Sequence, residues 1–209
     1  MTKHPLLDKV LDSSILKNIC EEYGTPLYTY YGERIRNNLD SIDAALKNNF
    51  DKYQIHYAVK SNNNPNLLTF MHQYLPSLGA DCSSPGELLA AERARIPMKN
   101  CVYTGNYESV DDLQSAVDSG CEVNLDDESS FKRLKNICIP EYISFRLNPG
   151  KGKGRFTEIV TGGHDAKFGI PVEKIANVYI AGGFGNYINI NNAIEIGFIL
   201  NIDQNKIHQ

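Results

Sequence analysis

Three charged residues stand in or beside apolar runs, and each could do chemistry there. Lys60 follows Ile55-His-Tyr-Ala-Val59 and precedes Ser61-Asn-Asn-Asn-Pro65. A lysine at the inner mouth of an α/β barrel is partly desolvated, which lowers its pKa and frees its amine for Schiff-base chemistry. A lysine that snorkels to solvent from a strand end has the same spacing, and on spacing alone that plainer reading is the stronger. Asp81 closes the run Ser77-Leu-Gly-Ala-Asp81. Its carboxylate could orient a cofactor or pair with Lys60, and aspartate is also a common turn and cap residue. Arg146 lies between Phe145 and Leu147. A charge inside an apolar strand is costly unless paired, so a carboxylate or phosphate partner is expected. Gly182-Gly-Phe-Gly185 could cradle a phosphate, but it is neither GxGxxG nor a Walker motif and carries little weight alone.

The elements that would position these residues follow a rhythm. Pro26–Tyr31 is rich in strand formers, and Ile35, Leu39, Ile42 and Leu46 share one face of a helix over 33–46. Strands are expected at 55–59, 77–82, 101–104, 121–125 and 142–147, with a sixth at 187–190. Helices fall between them. Pro65 opens one, and Ser84-Pro85-Gly86-Glu87 reads as a capping box for the next. Ser109 caps a third that stops at Gly120, Asp126 can cap a fourth, and Pro171 opens a fifth beyond a glycine-rich stretch. Such alternation spells βαβ units with a parallel sheet, closed either as a doubly wound sheet or as a (β/α)8 barrel. In both, ligands sit at the C-terminal ends of the strands, where Lys60, Asp81, Thr104, Asp126 and Arg146 cluster.

Composition removes several function classes. The chain has 209 residues, 42% of them hydrophobic, and a net charge of −4. There is no basic excess for nucleic-acid phosphates, and no apolar run long enough to span a bilayer. Neither a signal-peptide core nor a CxxC or HxxxH pair occurs. The five cysteines are widely spaced and odd in number, which favours reduced, mostly buried thiols in a cytoplasmic protein and no metal site.

The motifs together resemble a family. Gly24-Thr-Pro-Leu-Tyr28, His56-Tyr-Ala-Val-Lys-Ser-Asn62 and Gly79-Ala-Asp-Cys-Ser-Ser-Pro-Gly-Glu-Leu88 are similar to the PLP-dependent decarboxylases of the alanine-racemase fold. Arg146-Leu-Asn-Pro-Gly150 and Lys167-Phe-Gly-Ile-Pro171 look most like the diaminopimelate decarboxylase branch. The resemblance implies a (β/α)8 barrel plus a β-sandwich and pyridoxal 5'-phosphate as cofactor. It also implies a homodimer that decarboxylates meso-2,6-diaminopimelate to L-lysine. Lys60 matches the lysine that bonds the cofactor, and Asp81 and Arg146 match polar residues near it.

After Pro171 the pattern changes. The strand expected at 187–190 runs into Asn191-Asn192 where the family has a histidine motif ending Gly-Ser. A barrel usually needs ~250 residues. The expectation is therefore an incomplete barrel of about five βα units and the start of a sixth, weakly active or inactive alone. Its expected parts are an N-terminal strand segment (1–31), a partial PLP-binding barrel (32–190) and a divergent Asn/Ile-rich tail (191–209) without turn or cap signals. A PLP carrier without enzymatic activity, or an inactive partner of a full-length decarboxylase, are the alternatives.

Overall fold

The computed structural model describes residues 13–148, 169–179, 189–195 and 202–208. The chain divides into two compact units, Met1–Tyr53 and Gln54–Gln209. In the first, helix α1 (Ser13–Tyr23) precedes helix α2 (Gly32–Asn49). The second of these is the helix expected over 33–46. Along its apolar stripe Leu39 is buried, Ile35 and Leu46 are half-buried and Ile42 is exposed. Residues 26–31, expected as a strand, lie outside any helix or strand. Strand propensity reflects fit to a pleated, half-buried surface, and Tyr28, 95% exposed, has none to fit.

The second unit is built on a parallel sheet of five strands: β1 (His56–Ala58), β2 (Gly79–Cys82), β3 (Cys101–Tyr103), β4 (Glu122–Leu125) and β5 (Ile143–Phe145). Their order in the sheet follows their order in the chain. A doubly wound sheet reverses direction at a switch point. This one does not, so the choice left open by the sequence goes to a barrel wall. Helices α3 (Pro65–Tyr74), α4 (Pro85–Arg93), α5 (Val110–Ser119) and α6 (Glu128–Lys135) connect successive strands. Side chains alternate between the sheet's faces. Ala80, Cys82, Cys101, Tyr103, Val123 and Leu125 are buried, while Asp81, Val102 and Asn124 between them are only half-buried. Helix α4 packs on β2 and β3, and α5 and α6 pack on β4.

Local chemistry fixes the helix starts. Pro65 stands at the first turn of α3 behind the Asn64 cap, whose side chain accepts the Asn66 N–H at 2.9 Å. Ser84 caps α4 through the Glu87 N–H at 3.3 Å. The box expected there is not closed, because Glu87 reaches back to the N–H of Ser83 at 2.7 Å rather than to Ser84. A reciprocal box does form between Ser109 and Asp112, both bonds at 3.1 Å, and Gly120 ends that helix at φ 76°. Helix α6 is capped by Asp127, which accepts the Ser130 N–H at 2.6 Å, and not by Asp126 as expected. Asp126 is 2% exposed and points to a different partner.

Beyond β5 the chain departs further from expectation. The run 142–147 breaks at Arg146, and Leu147–Asn148 forms β6, paired in parallel with β7 (Ile170–Pro171). Pro171 completes that pair and is followed by one 3-10 turn, Val172–Lys174, instead of a helix. Ile190 begins helix α7 (Ile190–Glu195) rather than ending a strand. The tail carries order that composition did not signal. Strand β8 (Val178–Tyr179) pairs in parallel with β9 (Ile207–His208), and the Tyr179 and His208 rings stack at 5.0 Å. Asp203 caps the turn before β9, accepting the Asn205 N–H at 3.0 Å. Two-residue strands are too short for a period-two pattern to register. Gly182–Gly185 and Tyr187 lie outside the described residues. Among the described residues no helix is long and apolar enough to cross a membrane.

Candidate active site

The C-terminal ends of the strands surround a cleft of about 450 Å³ lined by Lys60, Asp81, Ser83, Val102, Thr104, Asn106, Asn124 and Arg146. The three residues singled out from the sequence thus come together, each delivered by a different strand.

Lys60 sits on a 3-10 turn, Val59–Ser61, that leaves β1 immediately after Ala58. Val59 is fully buried and anchors the turn, and the Asn62 N–H closes it on Val59 O at 3.0 Å. The side chain of Lys60 is exposed. The sequence left two readings for it, partly desolvated at a barrel mouth or reaching solvent from a strand end, and its exposure fits the second. The backbone leaves β1 after Ala58, so Lys60 stands on a turn rather than on the strand itself.

Asp81 on β2 is paired in register between Ala58 on β1 and Val102 on β3 and is half-buried. Among the described residues it shares the cleft with Lys60 without an ion pair between them. The loop after it is tied down by Glu87, which also accepts from the Ser83 hydroxyl at 3.1 Å.

Thr104 and Asn106 come from the loop after β3. The Thr104 N–H donates to Cys82 O at 2.8 Å, which registers the loop against β2. Gly105 packs so closely that a Cβ there would lie 2.8 Å from the Tyr103 hydroxyl and collide with Glu108. Glu108 is 4% exposed, accepts the Ser130 hydroxyl at 2.6 Å and faces Arg133 at 3.6 Å. This buried carboxylate ties the loop to α6. Burial also pushes the Tyr103 phenol pKa well up, with Asp112 and Glu108 adding to it.

Asn124 was not anticipated as a cleft residue. Its Nδ2 donates to Ser144 Oγ at 2.8 Å, and Ser144 donates to Glu122 Oε1 at 2.8 Å. A carboxylate only accepts, so the one hydroxyl proton of Ser144 goes to Glu122. The Ser144 oxygen then takes one Asn124 amide hydrogen, which leaves Asn124 Oδ1 and the second amide hydrogen as polar groups for the cleft. The available signal was periodicity: Asn124 alternates with Val123 and Leu125.

Arg146 is half-buried between β5 and β6. Its N–H donates to Leu125 O and its carbonyl accepts the Ile170 N–H, both at 2.8 Å. Asp126 lies near enough for its carboxylate to feel the Arg146 charge. Burial raises the Asp126 pKa, the Gly169 N–H and Arg146 oppose that, and the net displacement is upward. The Gly169 N–H donates to Asp126 Oδ1 at 3.0 Å.

Residues 35–190 match the family described as pyridoxal-dependent decarboxylase, pyridoxal binding domain. The chain is 37% identical over 163 residues to the diaminopimelate decarboxylase of Methanothermobacter thermautotrophicus, covering 77% of this chain and 37% of that protein. It is 36% identical over 164 residues to that of Thermoplasma acidophilum, covering 78% and 39%. The crystal structure of diaminopimelate decarboxylase from Helicobacter pylori complexed with L-lysine superposes with a TM-score of 0.68 at 26% identity, over 76% of this chain and 41% of that one. The chain therefore spans well under half the length of these relatives. Its fold is that of the alanine-racemase-type decarboxylases, an α/β barrel of which the five parallel strands form an arc. The chain belongs to the pyridoxal-dependent decarboxylases, and residues 35–190 are its pyridoxal-binding domain.

Proposed function

We propose that the cleft holds pyridoxal 5'-phosphate and that the chain contributes this site to the decarboxylation of meso-2,6-diaminopimelate to L-lysine. The observation that carries the proposal is the convergence of Lys60, Asp81 and Arg146 from three strands on one cleft. The relatives' names supply the substrate, and the Helicobacter pylori relative binds L-lysine.

The donor set suits a phosphorylated aldehyde. Lys60 offers a primary amine and Arg146 a fixed positive charge. Ser83 and Thr104 offer hydroxyls, and Asp81 offers a carboxylate. The cleft, about 450 Å³, falls in the ~300–1,000 Å³ range of small-molecule sites. When bound, the cofactor supplies an electron sink for the negative charge left at the α-carbon as CO2 departs. Lys60 would hold it through its amine, on a turn exposed enough for substrate amine to reach. Asp81 would orient it by accepting a hydrogen bond. Arg146 would set positive charge against an anionic group, and its planar fork favours two-pronged contacts. Asn124 Oδ1 would accept from a hydroxyl or ammonium on the ligand.

The test is to add pyridoxal 5'-phosphate, reduce with borohydride and map the modified lysine by mass spectrometry. Label at Lys60 is expected, and label elsewhere or none sinks the proposal. Release of CO2 on adding meso-diaminopimelate then checks the reaction, and label without CO2 would make the chain a carrier. We also propose that it self-associates as a homodimer, which sedimentation velocity checks. Five unpaired thiols, three of them buried, suit a reducing cytoplasm.

A further inference from the structure

Asp126 is not among the residues that line the cleft, but it closes a ring around one that is. The Arg146 N–H bonds to Leu125 O at 2.8 Å, the Arg146 carbonyl accepts the Ile170 N–H at 2.8 Å, and the Gly169 N–H bonds to Asp126 Oδ1 at 3.0 Å. Leu125 and Asp126 are neighbours in the chain, and so are Gly169 and Ile170. The three hydrogen bonds therefore form one closed circuit, with Asp126 as its only side-chain member. Both peptide groups of Arg146 lie inside it.

We infer that Asp126 is the positioning residue for Arg146. Its carboxylate latches the returning segment at Gly169 and so fixes the backbone from which the guanidinium enters the cleft. The inference rests on the reading that Arg146 serves a bound cofactor. Gly169 fits the role from the other side of the latch. It sits at φ 80°, and a Cβ there would lie 2.9 Å from Asn148 N and 3.2 Å from Arg146 O. Only glycine brings its N–H to Asp126 without pushing Arg146 away. Asp126 is 2% exposed, so water cannot replace the latch from outside. Its charge also faces Arg146, which adds attraction to the same geometry.

The experiment uses the full chain with two readouts. Pyridoxal 5'-phosphate affinity is measured by equilibrium dialysis, and amide hydrogen exchange is measured without ligand. Asp126→Ala is expected to weaken binding about tenfold or more, and Asp126→Asn, which keeps an accepting oxygen, to stay within about threefold of the parent. Gly169→Ala should weaken binding as Asp126→Ala does, and it covers the case in which Asp126→Ala fails to fold. Adding Asp126→Ala to Arg146→Ala should cost no further affinity, because the latch acts through Arg146. Exchange should quicken at Gly169, Ile170 and Arg146 and stay slow at Val102 and Val123, whereas a merely structural role would quicken them all. Unchanged exchange at Arg146, or full additivity with Arg146→Ala, overturns the inference. If the parent binds no pyridoxal 5'-phosphate, the functional reading fails by itself. The exchange pattern then still decides whether Asp126 holds Arg146.

Discussion

The two faces of the five-stranded sheet are made from alternate residues of the same strands, and they are chemically opposite. On the helix side Ala80, Cys82, Cys101, Tyr103, Val123 and Leu125 are at most 1% exposed. Burial pushes the Cys101 thiol up to about 11 and raises Cys82 and Cys121 as well. These thiols are protonated packing groups. On the other side, and at the strand ends, stand Lys60, Asp81, Asn124 and Arg146, none of them buried. A shift of one residue in register would exchange the two sets. On the proposed function, stability and chemistry would be carried by different atoms a few ångströms apart, and substitutions should separate them.

The largest separation is expected at Lys60. Lys60→Ala should abolish borohydride-trapped cofactor label entirely, and because the side chain is exposed the unfolding free energy should move by less than about 0.5 kcal/mol. Label persisting at another lysine would mean that the cleft side is not where the amine chemistry lies. The converse substitution is Leu113→Ala in α5, where the side chain is 0% exposed against the sheet. It should cost about 2–5 kcal/mol in urea unfolding. The chain that remains folded should still take label at Lys60. Loss of label from a folded Leu113→Ala chain would break the division between the faces.

The elements that carry this division were largely legible in the sequence, because apolar runs, turn signals and helix caps are local. All five strands of the sheet lie where apolar runs and turn signals placed them. Lys60, Asp81 and Arg146 were singled out from their positions in or beside apolar strands, and they line one cleft. Three things were not legible, each for a non-local reason. The placement of Lys60 on a turn depends on where β1 ends, and Val59 looks like a strand residue until its burial in a 3-10 turn is seen. The Asp126-Asp127 pair offers two equivalent caps, and only the arrival of Gly169 from 43 residues away draws Asp126 inward. The pairing of 178–179 with 207–208 joins short segments across a glycine-rich stretch, with no repeat to announce it.

A smaller effect distinguishes the loops that carry cleft residues. Ser109 and Asp112 exchange two bonds, whereas Ser84 makes one cap bond at 3.3 Å while Glu87 turns to Ser83. Cap removal costs about 0.5–2 kcal/mol. Ser109→Ala should fall toward the upper end and Ser84→Ala toward the lower, as measured by thermal or urea unfolding. Equal losses would mean that the Glu87–Ser83 bonds support the α4 start as well as a reciprocal box does.

The smallest expected effect tests whether the cleft side buries charge at a cost. Asp126 is the place to look, because burial raises its pKa above 3.8 in spite of Gly169 and Arg146, while Glu108 and Asp127 add negative charge nearby. A carboxyl whose folded pKa is raised binds its proton more tightly in the folded chain than in the unfolded one. Between the unfolded value and the raised folded value the native state holds more protons, so stability falls as pH rises through that window and levels off above it. Asp126→Asn cannot titrate and should lack this component. Urea unfolding of the parent and of Asp126→Asn at several pH values from about 4 to about 7 gives the difference directly. The parent should lose stability relative to Asp126→Asn as pH rises. A difference of opposite sign would mean that the Gly169 N–H and the Arg146 charge outweigh burial. The ionised carboxylate would then stabilise the cleft side, and the contrast between the two faces would narrow at this residue.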